Sequence, residues 1–444
     1  MDKPNILFMH SHNTGQYVQP YGHAIPTPNM QRLAEQGVLF RNAFAANPTC
    51  SPSRASFLSG MYPHSCGMLG LAHRGFSMKD YSQHIVSNLK NAGYFTALSG
   101  VEHTAPDIDS VDYDRILSMQ DTNYPDHADD PDIADAAVAF LEQPHNKPFF
   151  LSVGLNETHR PFPKADPTNY PAEDARYCTP PVTFPDTPET RADVADFKAA
   201  ARIMDDAFGR VLATLDRAGL TGNTLVFCFS DHGLQFPLNM CNLTDHGTAV
   251  YCIARGPGGF TGGKVVDALI SLIDLVPTAY EVAGIDKPAY VQGESLRPLV
   301  NGDVDSVHDA IYSEVNYHAA YEPQRAIRTT RYKYIRRYDN REKVVLPNAD
   351  DTPSKQFLLD HGWTEAPRWQ EALFDLVFDP TESNNIADRP DMQVVLAELR
   401  GRLNQWSTDT DDPILATGHV AAPSGARITP SDARSPRDPA EIMP

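Results

Sequence analysis

No stretch of this sequence approaches the roughly 18 consecutive apolar residues that a membrane-crossing helix needs, so no bilayer-spanning segment is expected. The first apolar run, Ile6 to Met9, is too short for the core of a secretory leader and no small-residue cleavage site follows it. The cytoplasm is the expected compartment, and the run reads as a first buried strand. Cysteine is scarce: six residues, at positions 50, 66, 178, 228, 241 and 252, with none of the paired spacing of a zinc or disulfide framework. Reduced thiols are the expectation. Basic charge is in deficit, with 37 Lys and Arg against 57 Asp and Glu and a formal net charge of −20. Such a balance argues against nucleic acid as a partner and requires any anionic substrate to be held by a local field. Internal repeats are lacking too.

What is present suits a globular chain: 41% hydrophobic, 21% charged and 9% aromatic residues in 444. That length allows one large core and a smaller second one. Short apolar runs at Asn5 to Met9, Phe95 to Ser99, Phe149 to Gly154 and Thr224 to Phe229 read as buried strands. Helical periodicity covers Pro28 to Gln36, Ile133 to Glu142 and Arg191 to Ala218. This alternation predicts an α/β fold with a mostly parallel central sheet flanked by helices. From about residue 305 the texture changes. Ala310 to Val315, Ala326 to Thr329 and Tyr332 to Tyr338 read as antiparallel strands, and Asp391 to Trp406 as a closing helix. The expected division is 1–304 as a catalytic domain, 305–412 as a C-terminal α+β subdomain and 413–444 as an extended tail.

In an open α/β sheet, ligands gather beyond the carboxyl ends of strands. The polar clusters fall there: His10 to Asn13, Glu102-His103, His159 and Asp231-His232. The sharpest local pattern is Cys50-Ser51-Pro52-Ser53-Arg54, continued by Ala55-Ser56-Phe57-Leu58-Ser59-Gly60. A structural cysteine beside a helix start is the bland alternative, and the extension through Leu58 and Gly60 weighs against it.

This segment resembles the sulfatase signature, in which a Cys-x-Pro-x-Arg core is recognised by a formylglycine-generating enzyme. The resemblance runs along nearly the whole chain. It includes Pro4 to Leu7, Thr27 to Met30, Gly37 to Phe44, Thr158 to Phe162, Ser230 to Gly233, Ser271 to Thr278, and the landmarks Phe374 to Leu376, Asp379-Pro380 and Asn384-Asn385. Around Cys50, Ser230 to Asn242 and Arg368 to Pro413 the chain looks most like the sulfamidase branch of bacterial sulfatases. The resemblance implies an alkaline phosphatase-like fold, one divalent metal ion and a formylglycine made from Cys50. Its hydrated aldehyde offers one oxygen to attack sulfur and a second to expel sulfate, and the ion acidifies the attacking hydroxyl. It also implies catalytic roles for Cys50, Arg54, His103 and His159, and a saccharide or small-molecule substrate.

The departures are as informative. Where the family closes its first strand with two aspartates, this chain has His12-Asn13. Where it has a lysine two residues before the conserved histidine, this chain has Val101. Where a second lysine is expected, Met240 stands. The implied metal set is therefore His12, Asn13, Asp231 and His232. Imidazole in place of carboxylate moves preference from calcium toward zinc, manganese or iron. Asp245, His10 and His246 are spare candidates for ligation, His10 also reading as a core histidine and His246 as a turn former. Loss of both lysines leaves the substrate to Arg160, Asn239, Asn242, Glu102 and, for a sugar, Glu314. His23, His64, His73 and His84 read as surface or loop residues, His64 and His73 being nearest to a pocket. Arg325, Arg328 and Arg331 read as a solvated face. The leading expectation is a hydrolase of sulfate esters or sulfamates. The alternatives are the same scaffold cleaving a phosphoester, phosphonate or glycosidic bond, and a non-catalytic carbohydrate-binding relative.

Overall fold

The strand Asn5–Ser11 (β1) is buried at all seven positions, as a strand must be when helices cover both faces of its sheet. In the computed structural model, which describes residues 3–119, 130–162, 170–171 and 173–444, β1 lies inside a nine-stranded sheet. Its other strands are Val38–Phe44 (β2), Phe95–Gly100 (β3), Arg115–Met119 (β4), Phe149–Gly154 (β5), Thr224–Ser230 (β6), Ala249–Val250 (β7), Cys252–Arg255 (β8) and Lys264–Ser271 (β9). The order is β4-β3-β5-β1-β6-β8-β2-β7, with β9 also on β2. The run from β4 to β6 is parallel throughout, and β8 enters antiparallel between β6 and β2. The mostly parallel sheet expected from the alternating pattern is therefore observed. Consequently β3, β5, β1 and β6 are consecutive neighbours and all end on one edge.

Helix Pro28–Gln36 (α1) begins on a proline, whose missing N–H costs nothing in the first turn. Its free amides are capped from outside: Asp205 accepts from Asn29 N at 3.0 Å and Met30 N at 2.9 Å. Asp205 belongs to the 30-residue helix Pro188–Arg217, which starts at Thr187 with a reciprocal side-chain cap. Helix Cys50–Ser59 (α2) is buried on every side. Small residues make that possible. Ser56 and Ser59 return their hydroxyls to the carbonyls of Pro52 and Ala55, and Ser53 donates to the Asp231 carbonyl at 2.5 Å.

Close backbone approach also fixes Gly154 at the end of β5. A Cβ there would lie 2.1 Å from the Val101 carbonyl oxygen and 2.5 Å from the His10 ring. Both belong to segments that hold the site. Gly154→Ala is expected to lower unfolding free energy by about 1–3 kcal/mol, as overpacking does. Urea denaturation checks this, and an unchanged midpoint would show that the strands separate at no cost.

Beyond the large sheet, Ala310–Tyr317 (β10), Tyr321–Thr329 (β11), Tyr332–Arg337 (β12) and Glu371–Asp375 (β13) form an antiparallel sheet in that order. Helix Gln393–Asp409 closes it, packing Leu396, Leu399, Leu403 and Trp406 against Ile327, Tyr334 and Leu373. The tail is packed chain: Ala426 and Ile428 join Met61, Met68 and Phe76 in one apolar cluster. Of the three arginines read as a solvated face, only Arg331 is so, with half its side chain exposed. Arg328 pairs with Asp245, and Arg325 is fully buried between Glu314 and Asp412. Three like charges at regular spacing hid this, because their partners come from distant segments.

Candidate active site

Parallel neighbours deliver their polar ends to one place. His12 and Asn13 follow β1, His103 follows β3, His159 follows β5, and Asp231 and His232 follow β6. The first residue of α2, Cys50, points into the same cluster. Its Sγ lies 3.4 Å from His232 Nε2 and 3.7 Å from Asn13 Oδ1. One turn on, Arg54 is fully buried and holds Asp231 Oδ2 through Nε at 3.2 Å and Nη2 at 3.0 Å. The other oxygen of Asp231 accepts from the backbone amides of Asn13 and His232, each at 2.8 Å. Asp231 therefore has little spare acceptor capacity.

The rest of the cluster is imidazole. The His12 ring lies 4.4 Å from that of His159 and 6.2 Å from that of His103, centroid to centroid. His73 stacks on His103, with Nδ1 of the first 3.1 Å from Nε2 of the second. Burial, then the neighbouring His159, Arg54 and His103, holds His12 well below the usual imidazole range. Burial does the same to His103, lowers His232 against the opposing Asp231 charge, pulls His73 down to about 4, and pulls His318 down to about 3. These rings are neutral at pH 7, so each offers a lone pair. The thiol of Cys50 is pushed well up by burial, then by the Asp231 charge. As a plain cysteine it is a poor nucleophile at neutral pH.

Donor sets for a cation are visible in this arrangement. Ligand atoms of His12, Cys50 and His103 lie within 4.8 Å of one another, as do those of Cys50, Asp231 and His232. Nδ1 of His12 and Nδ1 of His103 are buried without a hydrogen-bond partner, and Nε2 of His12 lies 3.5 Å from Asp231 Oδ2. Buried polar atoms are seldom left so, and a cation would satisfy them. One carboxylate already engaged by Arg54 is a poor match for calcium, which takes six to eight oxygens. Imidazole-rich donors suit zinc, manganese or iron. A third set, His64, Glu314 and Asp412, is filled by the Arg325 guanidinium.

Several residues expected from the sequence are committed elsewhere. His10 Nδ1 accepts from Arg54 Nη1 at 2.9 Å and its Nε2–H donates to Ser152 Oγ at 3.1 Å, and so the ring braces Arg54 from behind. Glu102 is locked to His84 and Thr104. Burial opposes its ionisation, but those partners outweigh it and hold the carboxyl below its usual range. His84, read as a surface or loop residue, is fully buried in that pair. Arg160 turns away to Asp193 at 2.6 Å and lies over Phe162 and Phe236. Asn239 is fully buried and accepts from Thr183, while Asn242 donates to the Met240 carbonyl. Asp245 pairs with Arg328 and Lys333, and His246 bonds the Thr381 carbonyl, so both tie the large sheet's loops to the small sheet. Glu314, fully buried against His64 and Arg325, cannot meet a sugar from solvent, and His64 lies with it away from the cluster.

Three contributors carried no sequence signal strong enough to be singled out. Gln235, two residues past the Asp-His-Gly motif, accepts from Asn13 Nδ2 at 2.7 Å and donates to Asp350 Oδ2 at 2.6 Å. It also reaches His159 Nε2 at 3.4 Å. His318, in the turn between β10 and β11, and Asp350 come from the C-terminal part, and His318 lies near Asp350, His73 and His232. Gln235 and Asp350 also line a cleft of about 250 Å³ with Arg160, Asp196, Thr352 and Arg437. Val101 and Met240, both buried, bring no charge to the site.

Known proteins share the fold and the family pattern. The sulfatase family pattern matches residues 4–285, and an N-sulphoglucosamine sulphohydrolase C-terminal pattern matches residues 243–358. The human N-sulphoglucosamine sulphohydrolase is 29% identical over 456 residues, covering 90% of this chain and 88% of its own. An ulvan-active sulfatase of Formosa agariphila is 26% identical over 455 residues, covering 93% and 76%. A solved structure bound to its substrate D-glucosamine-2-N,6-O-disulfate superposes with a TM-score of 0.72 at 20% identity, covering 93% of this chain and 99% of its own. The phosphonate monoester hydrolase of Agrobacterium radiobacter shares the fold at 0.70 and 18%, covering 92% and 96%. The family pattern covers well over half of the sequence: the chain belongs to the sulfatase family and is a sulfuric ester hydrolase.

Proposed function

We propose that this enzyme hydrolyses sulfate esters or sulfamates on a carbohydrate, using formylglycine derived from Cys50 beside a divalent metal ion. The observation that carries the reading is the position of Cys50: first residue of a buried helix, within 4 Å of Asn13 and His232, with a thiol too weakly acidic to act unmodified. A formylglycine there would supply a hydroxyl to attack sulfur and a second to release sulfate. The helix N-terminus favours the negative charge that develops at that position. Arg54 orients Asp231, and His10 fixes Arg54. His103 and His159 would bring a proton to the leaving oxygen or nitrogen, His159 being the less buried of the two. Asp231, His232, Asn13 and His12 would hold the ion, which polarises the sulfuryl group when bound. Support for a saccharide comes from the adjoining cleft, whose carboxylates and Arg437 suit a ring of hydroxyls, and from the saccharide substrate of the solved relative. Maturation would require a formylglycine-generating enzyme as partner.

The altered metal set and the missing lysines favour one second reading, cleavage of a phosphoester or phosphonate on the same scaffold. A panel of saccharide sulfates, sulfamates, phosphoesters and phosphonates separates the two, with free sulfate and phosphate as readouts. Sulfate release is expected from protein whose Cys50 peptide is lighter by the difference between CH2SH and CHO. Chelation should abolish it, and zinc or manganese rather than calcium should restore it. Phosphate release alone, or full activity with an unmodified thiol, would remove the first reading.

A further inference from the structure

A second cavity, of about 260 Å³, backs onto the loop that follows β6. Leu234 and Phe236 line it, while Gln235 between them reaches Asn13, His159 and Asp350. No residue of the catalytic cluster lines this cavity. Its walls are apolar: Ile25, Val194, Phe197, Leu234 and Phe236 belong to one buried cluster apart from the main core. Tyr17 stacks on His23 beside them, with centroids 4.4 Å and planes 28° apart, and so adds a flat aromatic surface. An apolar cavity with few polar groups is the usual form of a small-molecule site.

One permanent cation lines the cavity, and no carboxylate does. Lys198, on the helix Pro188–Arg217, is 8% exposed. Lysine is seldom buried so far unless it is paired. Among the described residues, however, Lys198 forms no ion pair, and its close neighbour is the Cys178 thiol. Glu173 and Asp174, whose charges act on that thiol, are held by Arg202 and Arg176. Burial keeps His23 below the usual imidazole range, so that ring brings no second charge. In a chain with 57 acidic residues against 37 basic ones, a buried cation left without a carboxylate is set apart. The lining therefore joins aromatic walls to a single ammonium that lacks an anion.

We propose that this cavity is a second binding site, separate from the catalytic cleft, for a small aryl carboxylate. The ring lies against Phe197, Phe236 and the Tyr17–His23 pair, and the carboxylate accepts a charge-assisted hydrogen bond from Lys198. Cation and walls together select the class. A neutral arene would leave the ammonium without an anion, and an inorganic anion would leave the apolar walls empty. The site goes beyond the proposed reaction and does not depend on it.

Titration of 4-fluorophenylacetate into the full-length protein, followed by fluorine NMR, tests the site without reference to turnover. Saturable binding at one site per chain is expected. The neutral 4-fluorophenylacetamide should bind about tenfold more weakly or worse, the scale of a lost charge-assisted contact. Lys198→Met keeps the apolar stem and should bring the acid down to the affinity of the amide, leaving the amide itself unchanged. Val194→Phe fills the cavity and should exclude both probes. Acid against amide is measured on the parent protein, so that comparison decides even if a variant does not fold. Equal affinity of the two probes, acid binding kept in Lys198→Met, or no saturable binding at millimolar concentration overturns the proposal. Binding kept in Val194→Phe places the probe elsewhere and overturns it too.

Discussion

Cys50→Ala is expected to lower sulfate release by roughly 10³-fold or more, the scale on which loss of a covalent nucleophile is felt, while leaving the thermal midpoint nearly unchanged. The two halves of that expectation come from different facts. Alanine is a good helix former at the start of α2, and it removes one buried sulfur that makes only weak contacts at 3.4 and 3.7 Å. The fold has little to lose. Catalysis has much to lose, because the hydroxyls of Thr158 and Ser230 beside Asn13 and His232 are committed to the backbone carbonyls of those residues. Asp231 is held by Arg54 and two amides, and the imidazoles can move protons but do not offer an oxygen. A variant retaining turnover within tenfold of the parent would mean that water, and not residue 50, attacks. A variant that melts far below the parent would mean that the sulfur is structural.

The sequence was most readable where one residue's chemistry depends on its own strand or helix. Strand Phe149–Gly154 and helix Pro28–Gln36 coincide with their expected bounds, because apolar runs between turn residues and a proline start are local signals. The four strand ends that build the cluster were legible for the same reason, and parallel order then placed them together. What escaped was the identity of partners across long separations. Glu102 looked available until His84, on another segment, took it. Asp245 looked like a ligand until Arg328 and Lys333 of the small sheet took it. Gln235, His318 and Asp350 lacked any motif, and only the docking of the C-terminal part against the strand ends brings the last two to the site.

Arg325→Ala is expected to cost about 3–5 kcal/mol of unfolding free energy, the usual consequence of removing one partner from a buried charge cluster. Arg325 is fully buried on β11, with Nε 2.5 Å from Asp412 Oδ2 and 3.2 Å from Glu314 Oε2, and Nη2 2.8 Å from Asp412 Oδ1. Glu314 in turn accepts from His64, so the guanidinium joins the N-terminal part, the small sheet and the segment after the closing helix. Removing it leaves two carboxylates facing each other out of water. The pH dependence gives the signature. In the parent, burial works against ionisation of Asp412, but Arg325 outweighs it and the carboxyl sits below its usual range. That contribution is fully present above the unfolded value of about 3.9 and is lost only as pH falls through the lower folded value. In the variant, burial acts unopposed and the folded value rises above the unfolded one. Stability should then improve as pH falls toward the carboxylate range. The gap between parent and variant should therefore be widest at pH 7 and narrow by pH 4.5, read as unfolding free energy from urea titrations. A gap below 1 kcal/mol at pH 7, or one that does not change with pH, would mean that the cluster is hydrated and that these charges stabilise nothing.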